Sequence, residues 1–210
     1  MIHATGERNL GRLGGLIRFM PWVAWLALIG VFASSGLPPF SGFVSEWLLL
    51  QSFLFTPGLP HSFLNMLIPI ATASIALTAA LAGYVMVKFF GVVFLGQPRE
   101  ENLHGAHDAG SLEKIGMAWL AACSFALGLL PNLVIRFIDP VTQTLVGAGL
   151  AQQAKASGWW LLTPTSIIRA SYGPLFFLIG VVATCALAFT LVRLLYHGRL
   201  RRAAPWGGGY

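Results

Sequence analysis

One carboxylate, Glu46, interrupts an apolar stretch that runs from Trp22 to Phe55. It follows a run of helix-breaking residues that reads GLPPFSGFVSE from Gly36. Backbone inside a bilayer must satisfy its own hydrogen bonds, so an unwound stretch is tolerated only where protein or water surrounds it. A charged side chain at this depth costs roughly 2.5–3.5 kcal/mol to insert. The pattern predicts an ion or proton pathway, because a low-dielectric site disfavours the charged carboxylate and favours proton exchange.

The residues around Glu46 form a broken-helix motif, made of Gly36, Pro38, Pro39, Ser41, Gly42 and Ser45. We expect Ser41 and Ser45 to flank the carboxyl group and hold water, together with backbone carbonyls freed by the two prolines. Transporters build ion sites from such half-helix ends. The alternative is a structural carboxylate that an arginine on a helix outside this chain neutralises.

Two further residues are candidates for a proton pathway. Lys88 is the only charge in the apolar stretch 63–94. It either faces water inside the helix bundle as a relay or extends to the headgroups at the cytoplasmic surface. His3 precedes the first group of arginines, where a surface histidine is the alternative.

Other candidate chemistry is weak. His104, His107 and Asp108 bring metal-ligand types close together, but a solvated polar loop is the better interpretation and no metal site is predicted. Cys123 and Cys185 lie in apolar segments, where small apolar packing is the default. The sequence contains no phosphate-binding loop, Ser/His/Asp arrangement or cysteine framework, so we expect no catalysis by this chain itself.

Composition places the chain in a bilayer. Its 210 residues are 56% hydrophobic and only 10% charged, whereas soluble domains carry about 25% charged residues. The net charge of +6 comes from arginines at segment ends, a pattern that lipid headgroups recognise. The lack of an aromatic-interleaved basic patch argues against nucleic acid as a partner.

The predicted fold is an all-α integral membrane protein with about four transmembrane helices, the first broken near midplane, plus an interfacial amphipathic helix. The chain is treated as one membrane domain, 1–210. Its segments are a lead-in 1–21, the broken helix 22–56, a helix 63–95, a loop 96–114, a helix 115–138, an outer-side segment 139–173 with the amphipathic stretch 141–155, a helix 174–196 and a tail 197–210.

Charge placement favours a single crossing for the broken helix. Each half is too short to span a core of about 30 Å, but together they span it. A single crossing puts the arginine-rich N-terminal segment, the loop 96–114 and the arginine-rich tail on one side. The positive-inside rule then predicts that both termini are cytoplasmic.

The motifs HATGERNLGRLGGL, SGFVSEWLLLQS and KFFGVVFLGQPRE resemble the antiporter-like membrane subunits of respiratory complex I, Mrp sodium/proton antiporters and membrane-bound hydrogenases. The similarity is strongest to the hydrogenase-4 and formate hydrogenlyase branch. It is high over 1–57 and 84–101 and weakens over 140–172. The resemblance implies proton translocation in a bacterial-type plasma membrane, with Glu46 at an exit position, Lys88 on the next helix and His3 ending the preceding one.

The same resemblance implies partners. These are other membrane and hydrophilic subunits, the lipid bilayer and upstream helices of the same subunit. No cofactor is expected in this chain, because Ni-Fe and Fe-S centres belong to partner subunits. The chain is expected to be the C-terminal part of a longer subunit, and Gly208 replaces the cysteine of a W-x-C-G-Y element. Alternatives are an Mrp-type Na⁺/H⁺ antiporter subunit, or a structural or assembly element that does not conduct.

Overall fold

The computed structural model describes residues 2–55, 60–100, 103, 105–147, 149, 161–163 and 171–195. These parts are all-α, as the sequence predicts, and their only β pairing is one antiparallel bridge between Leu162 and Tyr172. Seven α-helices follow in order: α1 Ile2–Thr5, α2 Pro21–Ser34, α3 Ser41–Leu54, α4 Ser62–Phe94, α5 Ser111–Leu129, α6 Pro131–Val146 and α7 Pro174–Leu195. Single 3-10 turns at Leu10–Arg12 and Leu16–Arg18 connect α1 to α2.

Among the described residues, three helices are long and apolar enough to cross a bilayer: α4 with 33 residues, α5 with 19 and α7 with 22. The shorter apolar helix α2 has 14 residues and α3 has 14, with the predicted break between them at residues 35–40. At a rise of 1.5 Å per residue, α4 is about 50 Å long, so it exceeds a hydrocarbon core of about 30 Å.

The single helix predicted over 115–138 is wrong, because the chain forms two helices there. Leu130 leaves the helical conformation at φ −118° and ψ 46°, and α6 starts at Pro131. Proline cannot donate an N–H and clashes with the preceding turn, so it begins a helix more readily than it continues one. Of the amphipathic segment predicted at 141–155, residues 141–146 belong to α6, which ends where Gly147 adopts φ 70°. Residues 148 and 150–155 lie outside the described residues.

The larger hydrophobic core packs α2 against the end of α4 and the segment before α2. Its buried members are Leu13, Leu16, Met20, Val23, Ala24, Val31, Phe90, Val93, Phe94 and Leu103. Two of the motifs that carry the family resemblance meet here. Gly15 N–H donates to the Leu95 carbonyl at 2.9 Å, and Arg99 Nη1 donates to the Gly11 carbonyl. The polar lead-in is therefore fixed to the loop that follows α4.

A second, smaller cluster lies at α3. Val44, Leu162 and Tyr172 are buried there, with Phe43, Trp47, Leu48 and Ile135 around them. It joins α3 to the segment that precedes α7.

Candidate ion-exchange site at the broken helix

Helix α2 ends at the break in a Schellman motif, which a glycine makes possible. Gly36 adopts a left-handed φ of 63°, its N–H donates to the Ala33 carbonyl at 3.3 Å, and Leu37 N–H donates to the Phe32 carbonyl at 3.2 Å. These are the two hydrogen bonds of a Schellman termination with glycine just beyond the cap. The carbonyls of Phe32 and Ala33, in the last turn of α2, are therefore satisfied by the chain itself.

The turn from α2 to α3 contains a cis peptide bond between Pro38 and Pro39. Helix α3 then starts at Ser41, and Phe40 contributes no side-chain hydrogen bond to cap it. The break thus brings the carbonyl end of one half-helix beside the amide end of the next. Because helix ends carry opposite partial charges, the site offers polar groups of both signs.

Glu46 lies at this break. A Cβ atom built on Gly36 would overlap the carboxylate, with Oε1 at 3.1 Å and Cδ at 2.8 Å. The side chain is partly buried. Its carboxylate therefore packs on the bare α-carbon of Gly36, just beyond the end of α2.

The two serines of the motif make other contacts. Ser41 Oγ lies 3.1 Å from Ser124 Oγ on α5, and Ser45 Oγ donates to the Gly42 carbonyl at 2.8 Å. Ser41 therefore links the break to a neighbouring helix, while Ser45 bonds within its own helix. Both hydroxyls are thus bonded elsewhere than to the Glu46 carboxylate.

Close glycine contacts hold the break together. A Cβ on Gly42 would collide with the Ala33 carbonyl, and a Cβ on Gly128 of α5 would collide with the Pro39 carbonyl. The ring of Phe125 on α5 packs on that of Phe40, with centroids 4.6 Å apart. Helix α5 is thus a wall of the site that sequence reasoning missed, since nothing in its apolar pattern marks Gly128 as a contact point.

Lys88 lies apart from this arrangement. It is exposed on α4, and its Nζ stands 5.9 Å from the ring centroid of the exposed Tyr84 one turn earlier. Phe90, two residues later, is buried in the larger core. At about 100° per residue the two side chains diverge by about 200°, so Lys88 points away from the packed face of α4.

His3 opens onto a cleft at the other end of α2. Its ring lies 6.2 Å from that of His107, measured between centroids. The cleft has a volume of about 770 Å³, and Asp108 and Glu113 also line it. Sequence reasoning treated His3 and His107 separately, whereas the fold brings them together.

Metal-ligand types do not cluster in the described ranges. No group of three or more His, Cys, Asp or Glu side chains there is arranged to hold a metal ion. His104 of the predicted polar loop lies outside the described residues, as do Lys155, Gly208 and the tail 197–210.

Asp108 has a role that the sequence did not indicate. Its carboxylate accepts hydrogen bonds from the backbone N–H groups of Trp22 at 3.3 Å and Val23 at 3.4 Å, and pairs with Lys114 Nζ at 3.3 Å. Burial raises the pKa of this carboxyl, but hydrogen bonds from Ala109, Trp22 and Lys114 outweigh burial and hold it below its usual value. A residue 86 positions away in sequence therefore binds the start of α2.

Tyr172 is the other residue that sequence reasoning missed. It is 1% exposed, and its ring packs on Phe43 at 5.0 Å, Trp47 at 5.8 Å and Phe177 at 5.3 Å between centroids. Burial raises the pKa of its hydroxyl to about 12. Within the described part of the chain, this hydroxyl has no hydrogen-bonding partner.

Part of the chain is similar to a known protein family. Residues 1–59 match the family described as NADH:quinone oxidoreductase/Mrp antiporter, transmembrane. The chain is 36% identical over 119 residues to formate hydrogenlyase subunit 3 of Escherichia coli K12, covering 57% of this chain and 20% of that protein. It is 34% identical over 129 residues to hydrogenase-4 component B of the same organism, covering 61% and 19%.

A third relative is Na(+)/H(+) antiporter subunit A1 of Staphylococcus aureus JH9, 32% identical over 150 residues, covering 68% of this chain and 18% of that one. The chain thus spans about a fifth of the length of these relatives. Its fold matches a chain of the membrane-bound sulfane sulfur reductase, an archaeal respiratory membrane complex, with a TM-score of 0.67 at 24% identity, covering 96% of this chain and 30% of that one. With its long apolar helices, the chain is a multi-pass membrane protein.

Proposed function

We propose that this chain, which is related to the antiporter-like membrane subunits of the complex I, Mrp and membrane hydrogenase family, carries protons as part of a membrane complex. Glu46 is the exchanging group. The observation that supports it is the packing of the Glu46 carboxylate on Gly36, at the point where α2 has ended and α3 has not begun. Carboxylates within membrane segments are costly, and they mark ion pathways when they face polar backbone.

The exchange requires only protonation and deprotonation. The carboxylate takes a proton from water on one side of the membrane and becomes a neutral acid. The acid returns that proton to water on the other side and regains its charge. Protonation changes the charge of Glu46 by one unit beside the partial charges of two helix ends. A change of charge elsewhere in the complex can therefore shift the balance between the neutral acid and the carboxylate. His3 and the cleft it shares with His107 lie at the other end of α2, where we propose that protons are taken up.

The energy for this movement comes from redox chemistry in partner subunits. Hydrophilic subunits of a hydrogenase-type assembly would hold the Ni-Fe and Fe-S centres, and this chain would hold none. Both termini lie on the cytoplasmic side in this proposal, because the arginine-rich segments collect there.

Carbodiimide modification tests the proposal in the intact complex. The reagent attacks protonated carboxyls in apolar surroundings, and mass spectrometry locates the modified residue. We expect proton transport to fall in step with modification of the peptide that contains Glu46. The exposed Glu100, which pairs with Arg12 at 3.9 Å, serves as the control. Loss of transport with Glu46 unmodified would exclude it as the exchanging group.

Sodium/proton exchange is the second candidate function. It is favoured by the similarity to an Na(+)/H(+) antiporter subunit, which covers a larger share of this chain, 68%, than the formate hydrogenlyase similarity, 57%. A transport rate that rises with sodium at constant pH would support it, and a rate independent of sodium would exclude it.

A further inference from the structure

The start of α2 lacks a cap of its own. Met20 precedes the helix and makes no side-chain hydrogen bond, and Pro21 in the first position has no N–H. The next two N–H groups, those of Trp22 and Val23, are the ones that an N-cap side chain normally binds. Both bind Asp108 instead. The carboxylate thus acts as an N-cap supplied from a different segment, and its negative charge faces the positive end of the helix.

Asp108 is itself held in place. Lys114 Nζ lies 3.3 Å from Oδ2, and the Ala109 N–H donates to Oδ1 at 2.9 Å. The next charged group along, Glu113, accepts a hydrogen bond from Gly110 N–H at 3.1 Å, at the start of α5. The contact therefore ties the start of α2 to the start of α5.

Helix α2 connects this contact to Glu46. Its 14 residues span about 21 Å and end at Ser34, two residues before Gly36. A packed α-helix moves as a unit, so a change at its start displaces its end. Gly128 on α5 contacts the break at Pro39. Helix α5 is therefore connected to the site both through this contact and through Asp108, which precedes it.

We infer that Asp108 is a positioning residue for Glu46: by capping α2 from the loop before α5, it sets where the end of α2 presents Gly36 to the carboxylate. This inference depends on the proposed proton exchange at Glu46. It assigns to the loop 96–110 a role in coupling, in addition to joining two helices.

The test is a set of substitutions in the intact complex, with protons moved per electron pair as the readout. Asp108→Leu keeps the branched shape of the side chain and removes both acceptor oxygens, and we expect the ratio to fall at least twofold. Asp108→Asn keeps one acceptor oxygen. Its ratio should stay close to that of the wild type, since asparagine is a good N-cap. A purely structural role would lower the amount of assembled complex without changing the ratio.

Glu7 supplies a matched control. Its carboxylate also accepts two backbone N–H groups, from Arg8 and Asn9 at 2.8 Å each, and pairs with Arg12 at 3.6 Å, but it does not touch α2. Glu7→Leu should leave the ratio unchanged. A wild-type ratio in Asp108→Leu, with transport abolished in Glu46→Gln, would overturn the inference alone. A wild-type ratio in Glu46→Gln would overturn the proposed function as well.

If Asp108→Leu fails to assemble, Lys114→Gln provides the second variant. It leaves the cap and removes the ion pair, so we expect a smaller fall in the ratio than for Asp108→Leu. An unchanged ratio in Lys114→Gln, together with failed assembly of Asp108→Leu, would assign Asp108 to folding and overturn the inference.

Discussion

The carboxylate of Glu46 lies against the α-carbon of Gly36, so that a methyl group on Gly36 would overlap Oε2 and stand 2.8 Å from Cδ. The contact joins the end of α2 to the first half of α3 across the unwound residues. It requires a glycine for two reasons, the left-handed φ of 63° and the lack of space for a side chain. The break and the acid are therefore one structural unit.

Gly36→Ala tests this unit. We expect the free energy of unfolding to fall by about 1 kcal/mol or more, because alanine is strained at positive φ, and proton transport to fall because Glu46 must move. Thermal unfolding of the purified protein measures the first effect. Gly30→Ala is the control, since Gly30 lies within α2, the helix that ends just before Gly36, and its Cβ would meet no heavy atom within 4 Å. Equal effects of the two substitutions would contradict the assignment.

Gly128→Ala tests the contact of α5 with the break. The added Cβ would overlap the Pro39 carbonyl and lie 2.7 Å from the Phe40 carbonyl carbon. Overpacking of this kind costs about 1–3 kcal/mol, so the unfolding midpoint should fall. Gly116→Ala in the same helix meets open space and should not lower it. A normal midpoint in Gly128→Ala would show that α5 does not pack on Pro39.

Substitutions at Lys88 separate its two possible roles. Because the side chain is exposed and faces away from the packed side of α4, we expect it to act as a cation at the headgroups. Lys88→Arg should then transport protons normally, and Lys88→Gln should be close to normal. A relay requires a group that can lose its proton, which arginine cannot do. Loss of transport in Lys88→Arg would therefore restore the relay role.

Tyr172 should make stability depend on pH in the alkaline range. Its pKa is 10.0 as a free side chain and about 12 in the fold. The folded protein holds this proton more tightly than the unfolded chain, so stability is full below pH 10 and falls as pH rises toward 12. Tyr172→Phe should remove that fall and keep the packing on Phe43 and Trp47. If Tyr172→Phe loses stability at alkaline pH as the wild type does, another group causes that loss.

The break was predictable from sequence because its causes are local. Gly36 and the prolines at 38 and 39 end and restart helices by their own backbone chemistry. The boundary at Pro131 depends on similar chemistry, yet apolar residues continue on both sides of it and hide the break. A hydropathy pattern reports burial in lipid, and it does not report where hydrogen bonds between turns stop.

The contacts around the site could not be predicted, because they join distant segments. Asp108 reads as part of a polar loop with His107, and its binding to Trp22 depends on how α4 returns the chain to the start of α2. From the sequence, Gly128 is an ordinary glycine within a helix. Tyr172 is one residue of the predicted segment that precedes the last helix. Each gains its role from tertiary packing, for which a single sequence gives no local signal.

Glu46→Gln decides whether Glu46 carries protons. Glutamine keeps the shape of the side chain and cannot exchange a proton at this site. The measurement is protons moved per electron pair by the intact complex in sealed vesicles, with Glu100→Gln as the control for loss of a carboxylate. We expect the ratio to fall in Glu46→Gln while Glu100→Gln moves protons normally. A normal ratio in Glu46→Gln would contradict this role of Glu46.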